Sequence, residues 1–94
     1  MNLLFEWDEK KEKENIRKHR ISFEEAKTIF NDPFSITIHD PKHSINEARF
    51  IDIGLSTKEN ILIVVYTERK KVIRIISSRL ATKKEQKEYE ENSI

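Results

Sequence analysis

The segment "RIISSRLAT", residues 74–82, carries the side chains best suited to binding a phosphate group. Two arginines bracket an apolar strand pattern, two serines precede Arg79, and "TKKE" begins a helix pattern immediately afterwards. A guanidinium group, hydroxyl groups and the free N–H groups of a helix N-terminus all favour an anion. Arg79 is therefore a candidate phosphate-binding residue. The alternative is an ion pair between Arg79 and a carboxylate of the next helix, such as Glu85, that only ties this helix to the strand.

The alternation of side chains along this strand bears on both arginines. Side chains two residues apart in a regular strand share one face of the sheet. Arg74 and Arg79 are five residues apart, so a regular strand places them on opposite faces. One of them then points towards the helices and the other towards the open side.

Positive charge is concentrated around this strand. Between Thr67 and Lys84 there are seven Lys or Arg residues and one Glu, a local charge of +6 in a chain whose net charge is +1. Such a basic band is expected for binding a polyanion or an acidic partner. Lys70 and Lys71, at a predicted hairpin tip, have a second explanation, because lysines at a sheet edge also prevent edge-to-edge association.

Several other kinds of chemistry have no support in the sequence. The chain lacks cysteine, which excludes disulfides, thiolate metal ligands and a thiol nucleophile. His39 and His43 are four residues apart, but Pro41 between them predicts a loop rather than a metal-binding helix. No Gly-rich phosphate loop or nucleophile elbow occurs, so nucleotide hydrolysis and serine-type acyl transfer are not predicted. We predict neither a metal site nor a cofactor.

The distribution of apolar residues predicts a protein that is neither exported nor embedded in a membrane. The longest apolar run, Ile61 to Tyr66, has six residues, whereas a helix that spans a bilayer needs about 20. The N-terminus lacks the basic-then-apolar pattern of a signal peptide. We therefore expect a soluble, cytoplasmic protein whose residues 1–94 form one domain.

Hydrophobic periodicity predicts the element order β-α-α-β-β-β-β-α, an α+β fold with a mainly antiparallel sheet. The predicted strands lie within residues 3–8, 34–40, 48–56, 60–68 and 71–80. The predicted helices lie within residues 9–19, 21–33 and 83–91. Gly54 falls inside a strand pattern, which predicts a bulge or the close approach of another backbone.

Helix caps support these boundaries. Asp8 is placed to cap the first helix. Ser22 with Glu25, and Thr82 with Glu85, have the spacing of capping boxes, in which each side chain accepts a hydrogen bond from the backbone of the other. The second and third helices are therefore expected to begin at these pairs.

Four segments, in this order and spacing, resemble the BrnT family of toxins from bacterial toxin–antitoxin operons: "FEWDEKKEKENIRKH" at 5–19, "ISFEEA" at 21–26, "ARFIDIG" at 48–54 and "TERKKVIRIISSRLATKKEQKEY" at 67–89. The likeness covers nearly the whole chain. The chain departs from it at Arg20, where the family usually has Gly. Because Gly would suit a left-handed helix cap, Arg20 implies a differently closed turn or about 1 kcal/mol of strain.

The resemblance implies a RelE-like, metal-independent endoribonuclease with a curved, mainly antiparallel sheet. Such a toxin cleaves RNA and thereby inhibits translation and growth. The resemblance also implies a BrnA-type antitoxin with a ribbon-helix-helix DNA-binding portion, and a toxin–antitoxin hetero-oligomer that binds operator DNA. No metal is expected to take part.

Metal-free RNA cleavage needs a proton acceptor for the ribose 2′-hydroxyl, cations that stabilise the transition-state phosphate and a proton donor for the leaving oxygen. The residues predicted to stabilise phosphate are Arg79, Arg74, Arg49 and Lys18. The residues predicted to bind RNA outside the reacting group are Lys11, Arg69, Lys83 and Lys84. His19 is predicted to transfer protons, because histidine readily gains and loses a proton near neutral pH. The alternative is that His19 only interacts with the dipole at the C-terminus of its helix.

Two further functions fit the same basic band. One is a non-catalytic nucleic-acid-binding module, which binds in a salt-sensitive way without cutting the strand. The other is a module whose basic band docks an acidic antitoxin. Both require positive charge on one face, so the sequence leaves them open.

Overall fold

The protein alternates short helices with strands, and its computed structural model describes residues 3–39 and 47–92. The elements are β1 (Leu4–Glu6), α1 (Glu9–His19), α2 (Phe23–Ala26) followed by a 3-10 turn (Lys27–Asn31), β2 (Ile36–His39), β3 (Arg49–Leu55), β4 (Ile61–Arg69), β5 (Val72–Leu80) and α3 (Lys83–Asn92). The predicted element order and α+β class are confirmed. Within the described ranges, no helix is long and apolar enough to cross a bilayer.

The five strands form one mixed sheet in the order β1-β5-β4-β3-β2. The strands β2 to β5 pair in sequence as antiparallel neighbours, and β1 adds to β5 in parallel. Because β1 pairs only with Val72 to Arg74, the rest of β5 lies at the margin of the sheet, where α1 packs.

Alternate side chains of β4 enter two separate apolar clusters. Val64 lies in a cluster with Phe23 and Ile29, which come from α2 and the 3-10 turn after it. Ile63 points the other way and joins a cluster with Tyr89 of α3. We call these two sides of the sheet the α2 face and the α3 face.

The two ends of α1 show how its sequence is capped. Asp8 Oδ1 accepts hydrogen bonds from the backbone N–H groups of Lys10 and Lys11, at 2.8 and 3.1 Å, as predicted. Arg20 adopts the left-handed conformation, with φ 62° and ψ 23°, and its N–H donates to the carbonyl of Ile16. Of the two outcomes expected for Arg20, the chain therefore shows the strained one, at a cost of about 1 kcal/mol.

Glu25 is buried and points away from the capping box predicted with Ser22. Ser22 Oγ accepts a hydrogen bond from the Glu25 N–H at 3.0 Å, so one half of the box forms. The Glu25 carboxylate instead accepts from Ser56 Oγ at 2.6 Å and from Asn60 Nδ2 at 2.9 Å. It therefore holds the turn between β3 and β4 rather than the start of its own helix.

Gly54 marks a close approach of side chains, which is neither of the two predicted explanations, a bulge or the close approach of another backbone. A Cβ atom at this position would lie 2.9 Å from Ile29 Cβ and 3.3 Å from Ser35 Cβ. The neighbours are thus side chains rather than the backbone that we expected. Pairing of β3 with β4 continues without interruption past Gly54, which lies opposite Leu62.

The bulge lies instead in β5, at Ile76. Val65 and Tyr66 are consecutive in β4, yet their partners in β5 are Ser77 and Ile75. Ile76 is therefore an extra residue, and it shifts the alternation of side chains by one position.

This shift puts the two arginines of β5 on one side of the sheet. Arg74 lies opposite Thr67 and Arg79 lies opposite Ile63. Thr67 and Ile63 are four residues apart in β4, so they share the α3 face. The prediction that Arg74 and Arg79 lie on opposite faces is therefore wrong, because it assumed a regular strand.

The α2 face contains a buried carboxylate. Asp52 is 3% exposed and accepts a hydrogen bond from the Tyr66 hydroxyl at 2.8 Å. Burial raises the pKa of Asp52 above its ordinary value, and the hydrogen bond from Tyr66 offsets this only in part. The protein thus places a poorly solvated ionisable group inside its core.

Candidate functional site

The cross-strand register groups the side chains of the α3 face into rows that run across the strands. The Arg79 row contains Ile36, Ile53, Ile63 and Arg79. The aliphatic row contains Ile38, Ile51, Val65 and Ser77. The Arg74 row contains Arg49, Thr67, Arg74 and Glu6. The Arg69 row contains Arg69, Val72 and Leu4. All arginines of the described strands therefore share one face.

Arg79 is held by Glu85 through two hydrogen bonds. Nη1 donates to Oε1 at 2.8 Å and Nη2 donates to Oε2 at 3.0 Å. The bond from Arg79 is the main reason that the pKa of Glu85 falls to about 2. The ion pair considered as the alternative role of Arg79 is therefore present.

Glu85 also completes the capping box of α3. Its Oε1 accepts a hydrogen bond from the Thr82 N–H at 2.8 Å, and its own N–H donates to Thr82 Oγ1 at 3.2 Å. The carboxylate of Glu85 thus occupies the helix N-terminus that we expected to attract a phosphate. The capping box itself was predicted correctly.

The pair with Glu85 leaves one edge of the Arg79 guanidinium available. Nη1 donates a second hydrogen bond to the Leu80 carbonyl at 3.3 Å, so contacts among the described residues use three of the five N–H donors. The other two, on Nε and Nη2, lie side by side and match two oxygens of a phosphate. The side chain is 41% exposed. Glu85 therefore fixes the guanidinium through one edge, while the side chain as a whole stays partly exposed.

Two further arginines of the α3 face form exposed ion pairs. Arg74 Nη1 lies 2.9 Å from Glu6 Oε2, and Arg69 Nη2 lies 2.7 Å from Glu47 Oε2. All four side chains line a cavity of about 430 Å³. Exposed pairs of this kind contribute at most about 1 kcal/mol, so a phosphate can replace the carboxylates at little cost.

Asn15 fixes α1 against the margin of β5. Its Oδ1 accepts a hydrogen bond from the Ser78 N–H at 3.0 Å, and its Nδ2 donates to the carbonyls of Ser78 and Ile21, both at 2.8 Å. Lys18 and His19 follow about one turn later in the helix. This buried amide therefore sets how far both side chains lie from the sheet.

His19 adjoins two grooves that bring several predicted residues together. The larger, of about 590 Å³, has His19, Arg79 and Lys84 in its lining. The smaller, of about 320 Å³, brings His19 together with Lys11 and Lys18. His19 therefore lies where a surface formed by α1 meets the α3 face.

The other predicted residues lie outside these two grooves. Arg49, Arg69 and Arg74 belong to rows farther along the α3 face, and Lys83 is exposed in the first turn of α3. The predicted site is thus divided between a groove at His19 and Arg79 and an arginine-rich surface beside it.

Sequence reasoning did not identify Asn15 as the residue that positions this groove. It lies in a helix whose side chains are nearly all polar, so its burial leaves no hydrophobic signal. Its place in the segment 5–19 that resembles a known family was the only available indication.

Within residues 3–39 and 47–92, no three His, Cys, Asp or Glu side chains lie close enough to hold a metal ion. His39 is in β2, with its ring 5.6 Å from that of Phe50. His43 and Pro41, where we predicted a loop, lie outside the described residues.

Comparison with known proteins relates the chain to a protein family and to a solved structure. The model of a family described as the ribonuclease toxin BrnT of type II toxin–antitoxin systems matches residues 7–85. The 1.1 Å crystal structure of the Brucella abortus ribonuclease toxin BrnT has a TM-score of 0.67 to this structure, with 22% sequence identity. That match covers 87% of this chain and 100% of the Brucella chain, and it shows a shared fold. No curated protein sequence matches the chain.

Proposed function

The chain belongs to the BrnT family of ribonuclease toxins of type II toxin–antitoxin systems, and from this premise we propose that it is a metal-independent endoribonuclease. The observation that carries the proposal is the larger groove, which is lined by His19, Lys84 and Arg79. These side chains combine a group that transfers protons with cations that bind phosphate. Both are needed to cleave RNA at a phosphodiester bond.

In the proposed reaction, the ribose 2′-oxygen attacks the adjacent phosphorus. The 2′-hydroxyl gives up its proton, the new P–O bond forms, and the bond to the 5′-oxygen of the next nucleotide breaks as that oxygen gains a proton. The products are a 2′,3′-cyclic phosphate and a 5′-hydroxyl. His19 transfers protons in this scheme, since it is the histidine in the groove.

Arg79 and Lys84 stabilise the charge that builds up on the phosphate. The Nε and Nη2 edge of Arg79 binds two phosphate oxygens, while Glu85 keeps the guanidinium in place on its other edge. Lys84 adds a positive charge from the first turn of α3. These cations supply the positive charge that metal ions supply in other nucleases.

The remaining predicted residues bind the flanking RNA in this proposal. Arg74, Arg49 and Arg69 hold phosphates along the α3 face. The lysines on either side of the groove, which extend the basic surface, are Lys11, Lys18 and Lys83. Because these contacts neutralise phosphates, binding should weaken steeply as salt concentration rises.

The test is incubation of purified, antitoxin-free protein with a defined RNA in the presence of EDTA. We expect cleavage, with ends that carry a 2′,3′-cyclic phosphate or a 3′-phosphate. Activity that disappears in EDTA and returns with magnesium would contradict the metal-free mechanism. Salt-sensitive binding without strand scission would instead identify a non-catalytic nucleic-acid-binding module.

A type II toxin has an antitoxin partner, and we propose that here it is a BrnA-type protein with a ribbon-helix-helix DNA-binding portion. It covers the basic α3 face, and the resulting hetero-oligomer binds operator DNA. Free toxin then acts on RNA in the cytoplasm and inhibits translation and growth. Co-expression of the neighbouring antitoxin gene should restore growth, whereas an unchanged growth rate on expression of the toxin alone would contradict this proposal.

A further inference from the structure

The floor of the larger groove is apolar, although it lies on an exposed part of the sheet. All four members of the aliphatic row line the groove: Ile38, Ile51, Val65 and Ser77. Ile38 is 45% exposed, and the other three are partly exposed. An open sheet face is usually polar, so this row requires an explanation that the phosphate-binding cations do not provide.

The rows on either side of this floor differ from it in burial and in charge. On one side is the Arg79 row, whose Ile53 and Ile63 also line the groove but are buried in the cluster with Tyr89 of α3, against which Ile51 packs as well. On the other side is the Arg74 row, which contains Arg49 and Arg74. Rows on one face repeat about every 7 Å along a strand, so the two arginine-containing rows lie roughly 13 Å apart.

A ligand with a flat apolar group between two anions is complementary to this surface in shape and charge, because the apolar row lies between the rows that contain Arg79 and Arg74. A nucleotide strand is such a ligand, because each base has an apolar face and each backbone linkage carries a negative charge. In a double helix the base faces are stacked on their neighbours and cannot reach a protein surface. Only an unstacked base can lie on this floor.

We infer that the aliphatic row is a nucleobase-binding subsite for unpaired RNA, an inference that rests on the proposed function. One base lies on Ile51 and Val65, and the phosphates on its two sides bind Arg79 and Arg74. Aliphatic side chains contact the face of any base and do not read its edge. The subsite therefore selects single-stranded RNA over duplex and discriminates little among the four bases.

The first test compares two small probes by methyl NMR on protein with ¹³C-labelled isoleucine and valine methyl groups. The probes are adenosine 5′-monophosphate and ribose 5-phosphate, which differ by the base. We expect the Ile51 and Val65 methyl signals to shift with adenosine 5′-monophosphate and to change little with ribose 5-phosphate. Equal shifts with both probes would overturn the inference.

The second test measures how a substituted protein binds the same two probes. The double substitution Ile51→Thr and Val65→Thr keeps β-branched side chains but removes apolar surface, and we expect it to weaken binding of adenosine 5′-monophosphate about tenfold. Binding of ribose 5-phosphate should remain unchanged. Leu80→Thr, at an exposed position on the opposite face of β5, is the matched control. An equal loss in the control, or no loss in the double variant, would contradict the subsite.

The outcome for RNA cleavage separates this inference from the proposed function. Base-dependent methyl shifts in a protein that does not cleave RNA support the subsite and refute the ribonuclease proposal for this chain. Cleavage without base-dependent shifts supports the ribonuclease and refutes the subsite. If both hold, the same target sequence should be cleaved faster in a single strand than in a duplex, and equal rates would count against the subsite.

Discussion

The side-chain amide of Asn15 pairs with both backbone polar groups of Ser78, as a neighbouring strand would. Its oxygen accepts from the Ser78 N–H and its nitrogen donates to the Ser78 carbonyl. β1 is too short to reach this part of β5. A residue of α1 therefore makes the hydrogen bonds that a neighbouring strand would otherwise make with the backbone of Ser78. The groove beside His19 therefore depends on one amide for the placement of α1.

Replacing Asn15 by alanine should destabilise the protein by about 2–4 kcal/mol, because it leaves buried backbone groups of Ser78 and Ile21 without partners. Urea unfolding measures the free energy of unfolding. Lys13→Ala, at an exposed position of the same helix, is the control and should cost less than about 0.5 kcal/mol. Equal effects of the two substitutions would show that the Asn15 contacts are energetically unimportant.

Replacing Arg79 by alanine should lower the rate of RNA cleavage about a hundredfold or more, because a preorganised charge at the reacting phosphate is lost. Stability should fall by only about 0–1 kcal/mol, as expected for a partly exposed ion pair. Arg79→Lys should also cleave poorly, since a single ammonium cannot replace two parallel N–H donors.

The matched control is Arg17→Ala, which removes an exposed arginine paired with Glu14 at 2.8 Å and outside the three described grooves. Its cleavage rate should equal that of the wild type. If Arg79→Ala also cleaves at nearly the wild-type rate, Arg79 only ties α3 to the sheet.

Glu85→Gln should remove a stabilising contribution that depends on pH. The folded protein holds the pKa of Glu85 at about 2, below the ordinary value of 4.5, so folding favours the ionised form. The contribution is fully present above about pH 4.5 and is lost as the pH falls through about 2. Melting temperatures of the two proteins should therefore differ at pH 7 and converge near pH 2, and a constant difference would contradict this linkage.

Asp52→Asn should have the opposite pH dependence. Burial raises the pKa of Asp52, so folding favours the protonated form, and the wild type loses stability as the pH rises through that raised value. Asparagine keeps an oxygen that can accept from the Tyr66 hydroxyl and carries no charge. Between pH 3 and pH 8, the melting temperature of the variant relative to that of the wild type should rise with pH. A wild-type advantage that grows with pH would rule out this explanation.

Arg20→Gly should stabilise the protein by about 1 kcal/mol, because glycine adopts the left-handed conformation seen here, φ 62°, without steric cost. Arg20→Ala is the control, since alanine keeps the Cβ atom and should give no such gain. Chemical denaturation compares the two variants. Equal stability of both would mean that the cap is not strained.

The features that the sequence predicted correctly are those determined by contacts between residues close together in the chain. The capping box of Thr82 and Glu85 lies within four residues and forms as expected. The bulge at Ile76 has no such signal, because it is defined by the pairing of β5 with a different strand. The Glu25 carboxylate was wrongly predicted to complete a capping box with Ser22 for the same reason. Its actual partners, Ser56 and Asn60, are over thirty residues away.

The candidate site was therefore only partly predictable. The sequence predicted residues whose chemistry would suit RNA cleavage, and three of them, His19, Arg79 and Lys84, line one groove. Their arrangement depends on the bulge at Ile76, which a count of alternating residues misses. The donor edge left on Arg79 could not be foreseen either, because it follows from the geometry of its pair with Glu85.

The extra residue in β5 makes the orientation of its arginines tolerant of one change in length. Deleting the codon for Ile76 would remove the bulge and restore strict alternation, and Arg79 would still lie opposite Ile63 on the α3 face, because it would then follow Arg74 by four residues. Homologous genes should accordingly include some in which the segment corresponding to Val72–Leu80 is one residue shorter and keeps both arginines.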